Sequence, residues 1–325
     1  MPVHDGRAFL GESLAALLAQ VDKGLLEVLV VDDASSDGSA ELAAELGARV
    51  LRAPVRGGPA RARNLGAEAA RGEVLFFVDA DVVIHSDASH RVAETLADPD
   101  VVAVFGSYDD RPRDPGFASR YMNLRHHLVH QQGAGEAQTF WAGCGAVRRQ
   151  AFLAVGGFDA ARYPHPSIED IELGSRLRGA GHRIRLHPGL QGTHLKRWTL
   201  RGVIHTDIFR RAIPWARLLL ADPQAVPALN TSRRERGCAV LAWLIVAATG
   251  LFAGGVLPLW APLGLLCVAA LLNRSLLSLF ARRGGWLFAV AGLLQHQLYY
   301  LYGSVAYVFC VAERRLRARP ATDSR

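Results

Sequence analysis

The sequence predicts an α/β domain with a doubly wound, mainly parallel sheet, followed by a C-terminal α-helical membrane region. Two observations favour the sheet: short apolar strands alternate with helical patterns, and acidic residues directly follow two of these strands. A third observation concerns residues 237–312, which contain no Asp or Glu and only three Arg residues. Such a tract is typical of membrane helices. We therefore expect a soluble domain at 1–236, membrane helices at 237–312 and a basic tail at 313–325.

The first half of the soluble domain shows the strand–helix alternation most clearly. Apolar, β-branched runs predict strands at 25–31, 49–51, 73–78 and 101–105, and helical patterns lie at 9–20, 40–46, 60–70 and 86–97. The second half is less regular, with helical patterns at 121–132 and 168–180 and extended segments at 140–147 and 183–186. Because a parallel sheet binds its ligands at the carboxyl ends of its strands, we expect the site there.

The apolar tract predicts two or three membrane spans. Residues 238–257 and 286–311 are long enough to cross a bilayer, whereas 263–272 is short unless it continues past Asn273 and Arg274. Three full spans would put Arg282 and Arg283 on the side of the soluble domain and the basic tail on the other side. That arrangement conflicts with the positive-inside rule, unless the last helix lies in the membrane interface.

Charge and cysteine content exclude several classes of protein. The 325 residues carry 37 Lys plus Arg against 30 Asp plus Glu, and 50% are hydrophobic, which excludes a disordered chain. The excess of positive charge flanks the apolar tract, at Arg210, Arg211, Arg217, Arg233, Arg234, Arg236 and the Arg residues of 314–319. We therefore predict membrane lipid rather than nucleic acid as a partner. The four cysteines form neither a C-x-x-C motif nor a disulfide framework, which fits a reducing cytoplasm.

Two acidic motifs follow neighbouring predicted strands. Asp79 and Asp81 are placed where carboxylates can meet a divalent cation that bridges a diphosphate. Asp32 and Asp33 end another strand, where a carboxylate can accept hydrogen bonds from a base or a ribose. The alternative interpretation is a plain solvated turn for Asp79 and Asp81, and an Asx-rich turn that caps the next helix for Asp32 and Asp33.

Three further segments carry chemically useful side chains. Glu169, Asp170 and Glu172 begin a helix, where one acid can serve as a base, although acids stabilise helix N-termini in general. The segment 194–198 combines a possible metal ligand, His194, with two cations and Trp198; a juxtamembrane basic patch is the alternative. Residues 141–145 are Gly-rich, which is typical of a bend where another group can approach the backbone closely.

Five motifs occur in the order seen in family 2 glycosyltransferases with the GT-A fold. They are Asp32-Asp33, the stretch 61–66 with Arg63 and Gly66, Asp79-Ala80-Asp81, Gly156-Gly157-Phe158-Asp159, and Glu169-Asp170. The resemblance covers about residues 1–200, and the chain also resembles family members with C-terminal membrane helices. Five ordered motifs are far more specific than one.

The resemblance implies inverting transfer of a sugar from a nucleotide-diphosphate sugar, with a divalent metal, Mg²⁺ or Mn²⁺, bound to the diphosphate. It implies that Asp170 is the catalytic base. It further implies nucleotide-sugar binding by Asp32, Asp33, Arg63 and Asp79, metal binding by Asp81, Asp79 and His194, and an acceptor or diphosphate side formed by Trp141, Gly143, Glu169, Arg197 and Trp198. Because nucleotide sugars are made in the cytoplasm, we expect a multi-pass protein of the inner (plasma) membrane with a cytoplasmic catalytic domain. Its acceptor is expected to be a lipid-linked or envelope glycan.

Two departures from the family pattern qualify this expectation. Processive relatives carry Gln-x-x-Arg-Trp, but this chain has His194 in place of the Gln, which argues against processive synthesis. The first, central strand is apparently missing, so we expect the natural chain to begin upstream of Met1. A catalytically silent membrane subunit and a sugar nucleotidyltransferase remain the alternatives. No Gly-x-Gly-x-x-Gly motif supports a dehydrogenase.

Overall fold

The chain divides into two compact units, Met1–Trp198 and Thr199–Arg325. The computed structural model describes residues 1–221 and 232–317. The end of the predicted basic tail, from residue 318 onward, lies outside the described residues. The soluble-domain boundary expected at residue 236 rests on hydropathy alone and stays a prediction.

A small parallel sheet opens the N-terminal unit. Its strands, in spatial order, are β1 (Pro2–Val3), β2 (Leu29–Asp32) and β3 (Arg49–Arg52). Val3 is paired with Asp32, so β1 ends level with the first acidic motif. The expectation that the first strand is missing is therefore wrong for these two residues: Pro2–Val3 pairs in parallel with β2 although it is too short to show a periodic pattern.

The second sheet is mixed. Its strands are β4 (Val74–Val78), β5 (Val82–Ile84), β6 (Val101–Tyr108), β7 (Gly135–Ala137), β8 (Cys144–Arg148) and β9 (Arg183–His194). They lie in the order β4-β8-β6-β9-β5, with β7 beside β9, and only β6 and β9 pair in parallel. The α/β class is confirmed, but the expectation of a mainly parallel sheet is wrong here. The chain inserts β8 between β4 and β6 in the opposite direction, and periodicity does not reveal a strand's partners.

Helices cover both sheets. They are α1 (Arg7–Leu18), α2 (Ser39–Glu45), α3 (Gly58–Ala69), α4 (Ala88–Leu96), α5 (Phe117–Gln132), α6 (Arg149–Ala154) and α7 (Glu169–Gly179), with a short 3₁₀ turn at Val21–Lys23. One core cluster packs Leu10 and Leu14 against Val30 and Val104, and a second contains Phe105 and other aromatic residues. These two cores fix the strand ends that carry the acids.

The C-terminal unit is helical in its described residues. It contains α8 (Leu200–His205), a π-helical segment (Thr206–Ala212), α9 (Ile213–Ala221), α10 (Arg233–Ala253), α11 (Trp260–Leu272) and α12 (Arg274–Arg317). Two of these helices, α10 and α12, are long and apolar enough to cross a membrane, by length and composition only, while α11 is shorter. Gly285 interrupts α12 with non-helical backbone angles, φ 79° and ψ 172°.

Candidate active site

The second acidic motif forms the turn between β4 and β5. The Val82 N–H donates to the Asp79 carbonyl at 3.0 Å, and this turn places both carboxylates at the end of the mixed sheet. Two other chain segments are tied to it: the Asp79 N–H donates to the Gly143 carbonyl, and the Leu195 N–H donates to the Asp81 carbonyl. Residues far apart in the sequence thus meet at one edge of the mixed sheet.

Arg63 joins three elements through its guanidinium group. Nη1 donates to Glu169 Oε1 at 2.9 Å and Nη2 donates to Asp79 Oδ1 at 2.7 Å. The Arg63 side chain is 5% exposed, and its Cζ lies 5.4 Å from the centre of the Phe158 ring. Since a buried charge needs partners, the start of α7, the end of β4 and α3 are held in one arrangement.

Asp170 occupies the first turn of α7, beside this ion-pair cluster. Its Oδ2 accepts from the Ala142 N–H at 3.1 Å and its Oδ1 from the Ile171 N–H at 2.8 Å. Burial raises the pKa of Asp170 to about 7, and the charge of Glu169 adds to this effect while Arg63 opposes it. A carboxyl with this pKa changes its protonation near neutral pH, which suits a general base.

Asp81 and His194 form the part of the site that suits a metal ion. The strand pairing of Val82 with His194 brings Asp81 Oδ2 to 3.6 Å from His194 Nε2. The imidazole is 6% exposed and stacks on Tyr108, with ring centres 4.3 Å apart. Carboxylate and imidazole donors both suit divalent ions such as Mn²⁺, and such ions commonly take their remaining ligands from phosphate and water. No group of three or more His, Cys, Asp or Glu residues that could hold a metal ion occurs among the described residues.

The first acidic motif is largely used for internal hydrogen bonds. Both carboxylate oxygens of Asp33 accept backbone N–H groups at 2.7 Å, one from Gly57 and one from Gly58. Gly58 has φ +82°, and a Cβ there would overlap the Pro164 carbonyl, so only glycine fits. Asp33 therefore secures the start of α3, the helix that carries Arg63. Asp32 makes longer contacts, at 3.3 and 3.4 Å, to the Ser35 N–H.

The predicted acceptor-side residues fall into two groups. Trp141 contacts Tyr108 edge-to-face with ring centres 4.8 Å apart, and it leaves room only for glycine at position 143. Arg197, with a side chain 83% exposed, lies 3.8 Å from Asp114. The Trp198 N–H donates to Ser119 Oγ. The structure thus brings Trp141 and Gly143 to the acids, whereas the contacts given for Arg197 and Trp198 join other segments of the unit.

Sequence reasoning missed Tyr108 and Asp109. Asp109 is buried and accepts from Thr193 Oγ1, from the Arg111 N–H at 2.9 Å and from His85 Nε2 at 3.2 Å. It thereby anchors the end of β6 beside the residue that precedes His194. A signal was present, because Asp109 and Asp110 follow an apolar strand just as the other two acidic motifs do.

A family profile and individual relatives both indicate the same kind of protein. Residues 1–156 match the profile of the family described as Glycosyl transferase family 2. The chain is 25% identical over 158 residues to the glycosyltransferase GlyG of Streptococcus pneumoniae, covering 47% of this chain and 52% of that protein. It is 30% identical over 238 residues to the pre-mycofactocin glycosyltransferase of Mycobacterium tuberculosis, covering 70% of this chain and 48% of that protein. The chain thus spans about half the length of these curated relatives.

Solved structures share the fold at low sequence identity. The mannosyltransferase PcManGT from Pyrobaculum calidifontis, in complex with GDP-Man and Mn²⁺, superposes with a TM-score of 0.62 at 24% identity, covering 94% of this chain and 85% of that one. Staphylococcus aureus TarS 1-349, in complex with UDP-GlcNAc, gives a TM-score of 0.51 at 17% identity, covering 93% and 89%.

Proposed function

Because residues 1–156 belong to glycosyl transferase family 2 and the fold is of the GT-A type, we propose that the protein moves a sugar from a nucleotide-diphosphate sugar to an acceptor hydroxyl with inversion. The observation that carries this proposal is the position of Asp170, a half-buried carboxyl with a pKa of about 7 beside the Arg63 ion pairs. The GDP-Man and Mn²⁺ of the mannosyltransferase and the UDP-GlcNAc of TarS support a nucleotide-sugar donor.

Asp170 is the proposed general base. The acceptor oxygen forms a bond to the anomeric carbon as the bond from that carbon to the diphosphate oxygen breaks, and the acceptor proton passes to an Asp170 oxygen. The Ala142 and Ile171 N–H groups hold the Asp170 carboxylate in place. Inversion follows if this carboxylate lies opposite the leaving diphosphate.

Asp81 and His194, with Asp79, are the proposed holders of a divalent ion, Mg²⁺ or Mn²⁺. When bound, such an ion neutralises negative charge that develops on the leaving diphosphate. Arg63 already binds Asp79 Oδ1, so it orients that carboxylate and partly neutralises it.

Asp32, Asp33 and Arg63 are proposed for the nucleotide side, and Trp141, Gly143, Glu169, Arg197 and Trp198 for the acceptor or diphosphate side. For two of these residues, the hydrogen bonds of the structure indicate how they act. Asp33 acts by holding the start of α3, and Glu169 acts by fixing Arg63. Both are positioning residues.

The apolar helices and their Arg-rich flanks support an acceptor at a membrane. Two helices of the C-terminal unit are long and apolar enough to span, and exposed Arg residues flank them. We propose a lipid-linked or envelope-glycan acceptor and a multi-pass protein of the inner (plasma) membrane with its catalytic domain in the cytoplasm. We propose no nucleic-acid partner.

The test is release of nucleoside diphosphate by the full chain in detergent, with Mn²⁺ or Mg²⁺, a panel of nucleotide sugars and added membrane lipid. Asp81→Asn and Asp170→Asn are expected to lower the rate of release strongly. Asp100→Asn changes an exposed surface acid and serves as the matched control. A nucleotidyltransferase would instead release pyrophosphate when given a sugar phosphate and a nucleoside triphosphate. Failure of every donor to bind or react would favour the catalytically silent subunit.

A further inference from the structure

The helix Arg274–Arg317 is a hairpin of two arms. Gly285, with φ 79° and ψ 172°, separates a first arm, residues 274–284, from a second arm, residues 286–317. The positive φ strains any residue with a side chain, so glycine at this position marks a built-in break. The first question is therefore whether the chain continues in the same direction beyond Gly285 or reverses.

Side-chain contacts show that it reverses. Phe280 of the first arm meets Phe288 of the second arm edge-to-face, with ring centres 5.1 Å apart, and it fills the space beside Gly292. At the other end of the first arm, Asn273 Oδ1 accepts from the Tyr300 hydroxyl at 3.2 Å. Contacts that pair 280 with 288 and 292, and 273 with 300, occur only if the two arms are antiparallel.

The second arm also runs antiparallel to α10. The Tyr300 hydroxyl donates to Glu235 Oε2 at 3.0 Å, at the start of α10, whereas Leu293 packs on Leu241 and Ile245, further along that helix. The Arg234 guanidinium donates to the Leu272 carbonyl, so the end of α11 lies at the same level as the start of α10. Helices α10 and α11 and the two arms therefore alternate in direction.

This alternation gives the bundle two different ends. The start of α10, the end of α11 and the start of the first arm share one end, where Arg233, Arg234, Arg236 and Arg274 are exposed. The break at Gly285 and the start of α11 share the other, where Trp260 and Trp286 are 74% and 71% exposed. Arg282 and Arg283 lie at this second end. Between the ends, large apolar side chains face outward, among them Leu244, Val246, Leu251, Leu271, Leu287, Val290 and Leu294.

We infer that these helices form a bilayer-embedded bundle in which the chain crosses four times, so that residues 282–285 reach the membrane face opposite to both Arg-rich flanks. The partner of the outward apolar surface is lipid, since an apolar belt with Arg at both borders and Trp at one of them matches a bilayer and its interfaces. The inference rests on the proposed membrane association and goes beyond it. An even number of crossings places residues 233–236 and 314–317 on one face, as the positive-inside rule requires, and leaves only Arg282 and Arg283 on the opposite face.

Two of the four crossing helices are shorter than the hydrocarbon core of a bilayer is thick. The 13 residues of α11 and the first arm measure about 20 and 16 Å at the usual rise per residue, against about 30 Å for a hydrocarbon core. The four-crossing arrangement therefore requires local thinning of the bilayer, with the long Arg side chains at the hairpin tip extending to the interface.

Cysteine accessibility tests the inference in membrane vesicles of both orientations. In a Cys267→Ser background, which removes the exposed native cysteine, the variants Arg233→Cys, Arg282→Cys and Arg315→Cys are each treated with a membrane-impermeant maleimide. We expect Arg282→Cys to react from one face and the other two variants only from the opposite face. Arg283→Cys repeats the tip measurement in case Arg282→Cys misfolds, and an alkaline carbonate wash checks membrane insertion of every variant.

Each of the following results would contradict either the hairpin or the proposed membrane association. Reaction of positions 233 and 282 from one face, with 315 on the other, would establish three spans and overturn the hairpin. Lack of reaction at both 282 and 283 would also overturn it, because the tip would not reach water. Release of the wild-type chain by carbonate, with labelling of every variant from both faces, would instead overturn the proposed membrane association. Donor hydrolysis measured on the same samples reports separately on the proposed enzyme activity.

Discussion

Three buried charges of the N-terminal unit and two buried amides of the C-terminal unit differ in their hydrogen bonding. In the N-terminal unit, the buried charges of Arg63, Glu169 and Asp33 each make at least one short hydrogen bond to a fixed partner. In the C-terminal unit, the amide groups of Gln295 and Gln297 are buried, and Gln295 Nε2 and both polar atoms of Gln297 have no hydrogen-bond partner among the described residues. The first pattern fixes geometry for chemistry, whereas the second contributes little to a unique arrangement. Substitutions in the two units should therefore have opposite consequences.

The largest effect is expected at Asp170. Asp170→Asn removes the proposed base and should lower turnover about 10²–10⁴-fold, the usual contribution of such a group. Burial raises the pKa of Asp170 to about 7, and a base acts only when deprotonated. Wild-type kcat should therefore fall about tenfold per pH unit below that pKa and level off above it. A pH–rate profile from 5.5 to 9 with saturating donor checks this, and a profile that is flat through neutrality would contradict it.

The same carboxyl should reduce stability at neutral pH. A folded-state pKa of about 7 lies above the unfolded value, so the folded state binds the proton more tightly and stability falls as the pH rises towards 7. Asp170→Asn should then raise the thermal midpoint at pH 8 and change it little at pH 4. Loss of turnover together with higher stability would separate a functional carboxyl from one that merely stabilises the helix.

Arg63→Met should produce the second-largest effect. It leaves the buried Glu169 and the partly exposed Asp79 without their cation, and removing one partner of a buried ion pair typically lowers the free energy of unfolding by about 3–5 kcal/mol. The change is read as a shift of the thermal midpoint by circular dichroism in detergent, with Arg52→Met as the control, because Arg52 pairs with Glu41 at the exposed surface. Equal midpoints for the two variants would show that the Arg63 ion pairs do not hold the site together.

Tyr108 offers a smaller and more selective effect. Its ring stacks on His194 at 4.3 Å, so Tyr108→Leu should let the imidazole rotate away from Asp81 and weaken Mn²⁺ binding about 10–100-fold, as is common when a residue that supports a metal ligand is lost. Tyr108→Phe keeps the ring and should bind the ion almost as wild type does. Isothermal titration with Mn²⁺ in the presence of nucleoside diphosphate checks this. Equal affinities for the Leu and Phe variants would exclude a positioning role.

The sequence predicts local features well and long-range pairings poorly. The sequence predicts Asp79 and Asp81 at a strand end, and the structure has them directly after β4, because strand patterns and turn residues are local. The pairing of Arg63 with Glu169 joins positions 106 residues apart, and the use of both Asp33 oxygens depends on a neighbouring loop. These arrangements depend on how elements approach each other. Gly284-Gly285 is a local turn signal that indicates a helix break, but it does not indicate that the chain reverses there.

The smallest effect is expected at Gln297. Whether Gln297→Leu raises or lowers the thermal midpoint tests the difference between the two units. A buried amide without a partner costs about 1–3 kcal/mol relative to a satisfied one, so Gln297→Leu should leave the thermal midpoint unchanged or raise it, whereas removing a polar partner in the N-terminal unit lowers it. Tyr300→Phe is the matched control, since the Tyr300 hydroxyl bridges Glu235 and Asn273 and its loss should destabilise the same bundle. If Gln297→Leu instead destabilised the bundle as much as Tyr300→Phe does, the Gln297 amide would have to be satisfied by water or lipid. The Gln297 amide would then be satisfied as the buried charges of Arg63, Glu169 and Asp33 are, but with partners from its surroundings.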